Sequence, residues 1–362
     1  MDRKKKDCVL CILFALLFTG GFLLCLFLPK DQYSESERRM LSPMPELSAK
    51  GLWSGRFMSG FEDYAVDTFP FREEFRRMKA LTAANIFFKQ DNNGIYAQDG
   101  FLVSMEYPMD EASIGRAAER FRYICEKYTT KENHVYLSVI PDKNCFLAKE
   151  SGHLFMDYES FEKQVTERTD FAEYISISDL LEKEDYYRTD THWRQEKILD
   201  VADRLAGAMG TELSQDYEVH TLERDFYGVY YGQAALPFAP DELIYVTGED
   251  ICNCQVYDWQ NGREIPVYGI PGRDPYEMFL SGPLSLLTIR NPGAKTDKKL
   301  ILFRDSFGSS IAPLLISGYA QIDLVDIRYI HPDHLGQFID FGGCDVLFLY
   351  STLVLNNSDT IK

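Results

Sequence analysis

The stretch Lys299-Leu-Ile-Leu-Phe-Arg304-Asp305-Ser306-Phe307-Gly308-Ser309-Ser310 decides how this chain reads. Leu300–Phe303 is a short apolar run of the kind that forms a buried strand. Beyond Gly308, Ser310-Ile-Ala-Pro313-Leu-Leu-Ile316 opens an apolar helix, with Pro313 tolerable only in its first turn. Ser306 therefore falls at a strand-to-helix turn, at the carboxyl end of a strand, where open α/β sheets carry their chemistry. A serine there exposes its hydroxyl, and N–H groups at the helix start can face a developing oxyanion. Asp and Ser are also good helix caps, so this turn alone does not separate chemistry from capping.

A second stretch, Tyr186-Tyr-Arg-Thr-Asp190-Thr-His192-Trp193, tips the balance. Serine is a poor nucleophile at neutral pH unless a base takes its proton as it attacks, and histidine suits that task. Asp190 and His192 are two apart, so in an extended segment both side chains leave the same face. A carboxylate so placed can fix the tautomer of the imidazole and stabilise its cation. The spacing thus predicts a triad of Ser306 as nucleophile, His192 as base and Asp190 as orienter. Trp193 would wall one side, and the helix start beyond it would help keep His192 neutral. His331-Pro-Asp333-His334, which follows the serine, offers a rival base.

Composition narrows the class of partner. The formal net charge is -18; residues 1–28 carry +2, from Arg3, Lys4, Lys5 and Lys6 against Asp2 and Asp7, which leaves -20 on the remainder. So acidic a surface repels phosphate backbones, and no basic stripe offsets it, which excludes nucleic-acid binding. Cys8–Leu28 is an uncharged apolar run about as long as a bilayer core requires. Basic residues before it predict an N-terminus inside and a body outside. No A-x-A cleavage site precedes Pro29, so the run reads as an uncleaved signal anchor in the cell membrane. Five of the eight cysteines lie beyond the span at no framework spacing, and Cys252-Asn-Cys254 lacks zinc-site company. No cofactor or metal is expected.

Residues 29–94 read as a polar stalk, Asp31–Lys50, with little drive to fold alone, then two helices broken at Thr68-Phe69-Pro70-Phe71. Residues 95–362 read as one domain. It has a hairpin turned at Asp99-Gly100, a helix Glu111–Tyr128, a strand His134–Ile140 and another at Ala172–Ile177. A helix follows over Gln195–Met209, then an aromatic-rich β insertion over about 211–287, then strands Leu300–Phe303, Gln321–Ile327 and Asp345–Tyr350. Strands alternating with helices predict an α/β fold, a mostly parallel sheet with helices on both faces. Tyr227, Tyr230 and Tyr231 in the insertion could stack on sugar faces, though such residues are more often core.

Tyr187-Arg-Thr-Asp190-Thr-His192-Trp193, followed far downstream by Phe303-Arg-Asp305-Ser306-Phe307-Gly308, resembles the DHHW family, related to the SGNH-like AlgX/AlgJ-type proteins of alginate O-acetylation. Asp67-Thr-Phe-Pro-Phe-Arg72, Pro141-Asp-Lys143 and Val346-Leu-Phe-Leu-Tyr350 look like its other landmarks, so the likeness covers most of the body. In that family the D-x-H precedes the nucleophile, as here. Thr191 stands where DHHW has its second residue, a histidine, and Arg304 stands where the G-D-S block has glycine. The resemblance implies an SGNH-like (flavodoxin-like) domain with Ser306, His192 and Asp190 in the triad. It also implies O-acetyl transfer to a cell-surface polysaccharide, with acetyl supplied by a multi-spanning membrane O-acyltransferase. Trp193, Arg304, Asp305, Tyr227, Tyr230 and Tyr231 are its candidate substrate contacts. An esterase with the same triad, and a non-catalytic surface protein that binds or assembles, are the alternatives.

Overall fold

The computed structural model describes residues 3–362; Met1 and Asp2 of the basic tip lie outside the described residues. The chain divides into two compact units, one running to Asn92 with Gly232–Pro237, the other comprising Asn93–Tyr231 and Phe238–Lys362.

The first unit is helical. Helix α1 spans Arg3–Phe27, and its Lys5–Phe27 portion is long and apolar enough to cross a membrane, with mean hydropathy 2.7 and none of its most apolar window buried. It is a candidate single transmembrane span or signal anchor. Helices α2 (Arg56–Asp67) and α3 (Arg72–Asn85) follow, separated at Phe71, whose φ of 61° no helix interior accepts. The stalk is better ordered than its polarity predicts. Tyr33–Ser34 pairs with Arg39–Met40, and Asp67 holds Arg39 at 2.6 Å and the Ser42 N–H at 2.9 Å. Arg72 reaches Glu37 at 2.7 Å. Ion pairs between stalk and helices supply the drive that apolar burial does not.

The second unit is built on an eight-stranded mixed sheet. The helices that flank it include α4 (Glu111–Tyr128), α5 (Tyr158–Arg168), α6 (Leu199–Ala208) and α7 (Gly308–Leu315). In chain order the strands are β1 (His134–Ile140), β2 (Glu173–Tyr174), β3 (Gln255–Asp258), β4 (Arg263–Ile265), β5 (Leu286–Arg290), β6 (Lys299–Arg304), β7 (Gln321–Val325) and β8 (Asp345–Ser351). Their spatial order is β4-β3-β5-β7-β6-β8-β1-β2. The five from β7 to β2 are parallel; β5, β3 and β4 add an antiparallel edge. Segment 211–287 thus extends the sheet through β3 and β4, while Glu218–Thr221 and Ile244–Thr247 form a separate ladder. Of the strand expected over Ala172–Ile177, only Glu173–Tyr174 pairs. The helix expected from Gln195 starts as a 3-10 turn and becomes α-helical at Leu199.

Alternation along the central strands feeds two cores. Leu300, Leu302, Leu347 and Leu349 face α6 and α7, while Ile301, Phe303, Val346 and Phe348 face α4 and α5. Helices therefore cover both faces, as alternation in the sequence predicts. The ends of β6, β8 and β1 lie side by side, which gathers Ser306, Thr352 and Asp142-Lys143 along one edge. The chain passes from β6 to β7 on one side and then to β8 on the other, so β6 is the switch strand of the parallel half.

Candidate active site

Ser306 follows β6 directly, and Asp305 anchors the turn. One Asp305 carboxylate oxygen accepts the Phe307 N–H at 3.0 Å; the other accepts the Ser351 N–H at 2.8 Å and the Ser351 hydroxyl at 2.6 Å. The turn is thereby tied to the end of β8. Gly308 is required for a different reason. A Cβ there would stand 2.5 Å from the Arg304 Cβ, closer than real contacts allow.

Asp190 and His192 arrive from a loop rather than from the extended segment expected. Tyr186 bridges Trp193, and the Tyr187 N–H bonds to the His192 carbonyl at 3.1 Å, so residues 188–191 turn back on themselves. The pair meets because Asp190 Oδ1 accepts the His192 backbone N–H at 3.1 Å and its Nδ1–H at 2.5 Å. A carboxylate only accepts, so Nδ1 carries the ring proton and Nε2 is left to accept. Nε2 lies 2.8 Å from Ser306 Oγ. Asp190 and His192 are buried, and Ser306 is partly open. The stretch Gln195–Lys197 is a 3-10 turn and the next α-helix starts at Leu199, so no α-helix start adjoins His192 and Asp190 caps none.

Four groups hold the loop. Asp241 accepts the Arg188 N–H at 2.9 Å and the Thr189 N–H at 2.8 Å. The Val229 N–H donates to Asp190 Oδ2 at 2.8 Å, and a Cβ on Gly228 would fall 2.3 Å from Asp190 Cα. Only glycine allows this approach. Tyr276 stacks flat on the His192 ring, with centroids 3.8 Å apart and planes 10° apart. Its hydroxyl reaches Ser310 Oγ at 3.0 Å, and burial raises its pKa. Beneath the loop, Lys143 Nζ donates to the Tyr187 carbonyl at 2.8 Å. Burial pushes the Lys143 pKa down to about 7, against the opposing pull of Asp190, Asp241 and Asp142.

Several expected substrate contacts point elsewhere. Trp193 is fully buried and donates to the Phe307 carbonyl and Ser310 Oγ, fastening the start of α7. Arg304 is fully buried 3.7 Å from Asp326, and Asp305 is spent on its turn. Tyr230 is buried, with its hydroxyl 3.1 Å from Thr191 Oγ1; Tyr231 is half-buried, and Tyr227 is the most open of the three. N–H groups at the start of α7 are also engaged. Phe307 donates to Asp305 Oδ1, Gly308 to the Asp305 carbonyl and Ser309 to the Ser306 carbonyl. His331 and His334 are bonded to the Asp333 N–H and to Gln337, whereas Ser306 Oγ is bonded to His192. Among the described residues no cluster of His, Cys, Asp and Glu is arranged to hold a metal. Tyr276 and the Gly228-Val229 backbone are the residues sequence reasoning missed. A glycine amid aromatic residues, marking close backbone approach, was the available signal for the latter.

No family model matches this chain, and no curated protein matches it in sequence. Solved structures do. A DHHW family protein from Eubacterium siraeum superposes with a TM-score of 0.60 at 19% identity, over 75% of this chain and 95% of that one. The chain has the fold of a DHHW family protein. Bacillus cereus PatB1, solved with a sulfonyl adduct, gives 0.56 at 17% identity over 74% of this chain and 97% of its own. The O-acetyltransferase domain of Pseudomonas putida AlgJ gives 0.45 at 14% identity, over 73% and 92%. The DHHW-like fold read from Asp190–Trp193 and Phe303–Gly308 thus has its counterpart among known structures.

Proposed function

We propose that this chain is a membrane-anchored SGNH-like O-acetyltransferase acting outside the cell membrane on hydroxyls of a cell-surface polysaccharide. The observation that carries the reading is the unbroken hydrogen-bonded row Asp190–His192–Ser306 at the carboxyl edge of a parallel sheet. In the proposed cycle Ser306 Oγ attacks the donor carbonyl while His192 Nε2 takes its proton. That proton leaves with the donor's alcohol or thiol, and an acetyl–Ser306 ester remains. A sugar hydroxyl then gives its proton to His192 and attacks the ester, and the proton returns to Ser306 Oγ. Asp190 keeps the imidazole in the accepting tautomer and stabilises its cation. Arg3–Lys6 ahead of an apolar helix support an inside N-terminus and an outside body. A multi-spanning O-acyltransferase is the proposed source of acetyl, and Tyr227, the most open of the three candidate tyrosines, is the proposed aromatic face for a sugar.

The test uses an activated acetyl ester as donor. Acetyl should appear on the Ser306 peptide and drain into an added acceptor oligosaccharide. Free acetate as the sole product, whatever acceptor is offered, would make the protein an esterase. Absence of both adduct and turnover would favour a binding or assembly role.

A further inference from the structure

Helix α3 is partly inverted for a helix in water. Two of its three arginines, Arg72 and Arg76, turn inward to Glu37, at 2.7 and 3.3 Å, alongside the buried Ala80 and Ala83, while Arg77 is exposed. On the opposite face Phe75, Met78 and Leu81 are 49, 54 and 41% exposed, interleaved with the exposed Glu74, Arg77 and Lys79. A water-facing helix arranges these groups the other way round. The bare residues adjoin one another: Phe75, Met78 and Phe87 line a shallow groove of about 560 Å³ whose wall includes Lys79 and Lys89. An exposed apolar patch of this kind marks an interaction surface.

Its surroundings identify the occupant. The turn ahead of α3, Phe69-Pro70-Phe71, shares a recess with Leu24, Cys25 and Leu28 at the end of the apolar span. The bare aromatic side chains therefore begin where the span ends, at the depth of the boundary between acyl chains and headgroups. Charge agrees. Between Pro29 and Asn92 acidic and basic residues are equal in number, so all of the -20 outside the first 28 residues lies beyond residue 92. A segment without net charge meets no repulsion from anionic headgroups, and lysines beside an apolar groove suit headgroup phosphates.

We propose that the Phe69–Phe71 turn and the outward face of α3 lie in the bilayer interface beside the span, with Phe75 and Met78 reaching the upper acyl chains. The unit is then a footing that rests on lipid rather than a stalk in water. This rests on reading Lys5–Phe27 as a membrane span, and the experiment separates the two.

The full chain carrying Trp53→Phe, which leaves Trp193 and Trp259, is reconstituted in phosphatidylcholine vesicles with or without acyl chains brominated close to the headgroup. Single tryptophans are added by Phe18→Trp in the span, Met78→Trp on α3 and Lys163→Trp on α5. Both Phe18→Trp and Met78→Trp should lose roughly half of their added emission to brominated lipid, and Lys163→Trp none. Quenching of Phe18→Trp alone, with Met78→Trp open to aqueous iodide, would overturn the footing and leave the span standing. Met78→Trp shielded from both bromine and iodide would mean that a second copy covers the face, and would also overturn it. Quenching of neither would remove the span and the footing together.

Discussion

Helices α3 and α4 carry similar mixtures of apolar and charged residues and turn them in opposite directions. In α4, Ile114, Ala117, Phe121 and Ile124 are buried against the sheet, while Glu119, Arg120 and Glu126 face out. In α3 two of the three arginines, Arg72 and Arg76, face in, and Phe75 and Met78 face out beside the exposed Glu74, Arg77 and Lys79. Propensity and composition do not distinguish the two, because both segments suit a helix. What differs is the medium each outer face is built to meet. Water sets the pattern of α4, and an apolar medium accounts for that of α3. Amphipathicity therefore reports surroundings as much as a core, and in this chain it changes sign between the two units.

The first way to test that division is to ask whether the chemistry belongs to the second unit alone. Ser306→Ala or His192→Ala should lower acyl transfer by about 10⁴-fold or more, since triad members act as a unit. Circular dichroism should remain that of the parent. Retained turnover in His192→Ala, with loss in His331→Ala, would move the base.

Next in size is the core face of α4. Phe121 is buried and stacks on Phe348 at 4.5 Å and on Tyr350 at 5.1 Å. Phe121→Ala should cost about 3–5 kcal/mol in urea unfolding. Gly228→Ala should act on the site through Asp190, pressing on its backbone from 2.3 Å. A displacement near 1 Å corresponds to roughly 10²-fold in kcat, read against an unchanged Km. Equal kcat in this variant would mean that the loop yields freely.

Lys143 supplies a pH signature. Its pKa in the fold, about 7, lies below its unfolded value, so between the two the unfolded chain binds more protons. Stability contributed at this site is therefore lowest below pH 7 and rises with pH above it, at a slope approaching about 1.4 kcal/mol per unit. Measured from pH 6 to 9, the stability of the parent relative to Lys143→Met should rise. A flat difference would refute the depressed pKa. The smallest effect is expected at Phe75→Ala on the bare face of α3, within about 0.5 kcal/mol by the same urea assay in detergent. A cost near that of Phe121→Ala would erase the contrast between the helices.

The central strands were legible in the sequence because apolar runs such as Leu300–Phe303 are both short and buried on two faces. Asp190, His192 and Ser306 were legible because each stands in a local pattern. Their supports were not. Val229 reaches Asp190 across 39 residues and Tyr276 reaches Ser310 across 34, and no local period records such meetings. Nor did spacing reveal that Asp190 and His192 sit on a turn, since an extended strand and an Asp-stabilised loop both bring i and i+2 to one side. Arg304 misled for a related reason: beside a nucleophile it suggested a ligand contact, but the side chain runs into the sheet to meet Asp326.

The ring of His192 is held at its edge by Asp190 and across its face by Tyr276, which leaves it no room to swing. A fixed base can serve only one side of Ser306. In the proposed cycle, donor alcohol and acceptor sugar must then occupy the same spot in turn, and no complex of enzyme with both can form. Initial rates at several fixed acceptor concentrations should give parallel double-reciprocal lines, with the released donor alcohol competing against the acceptor.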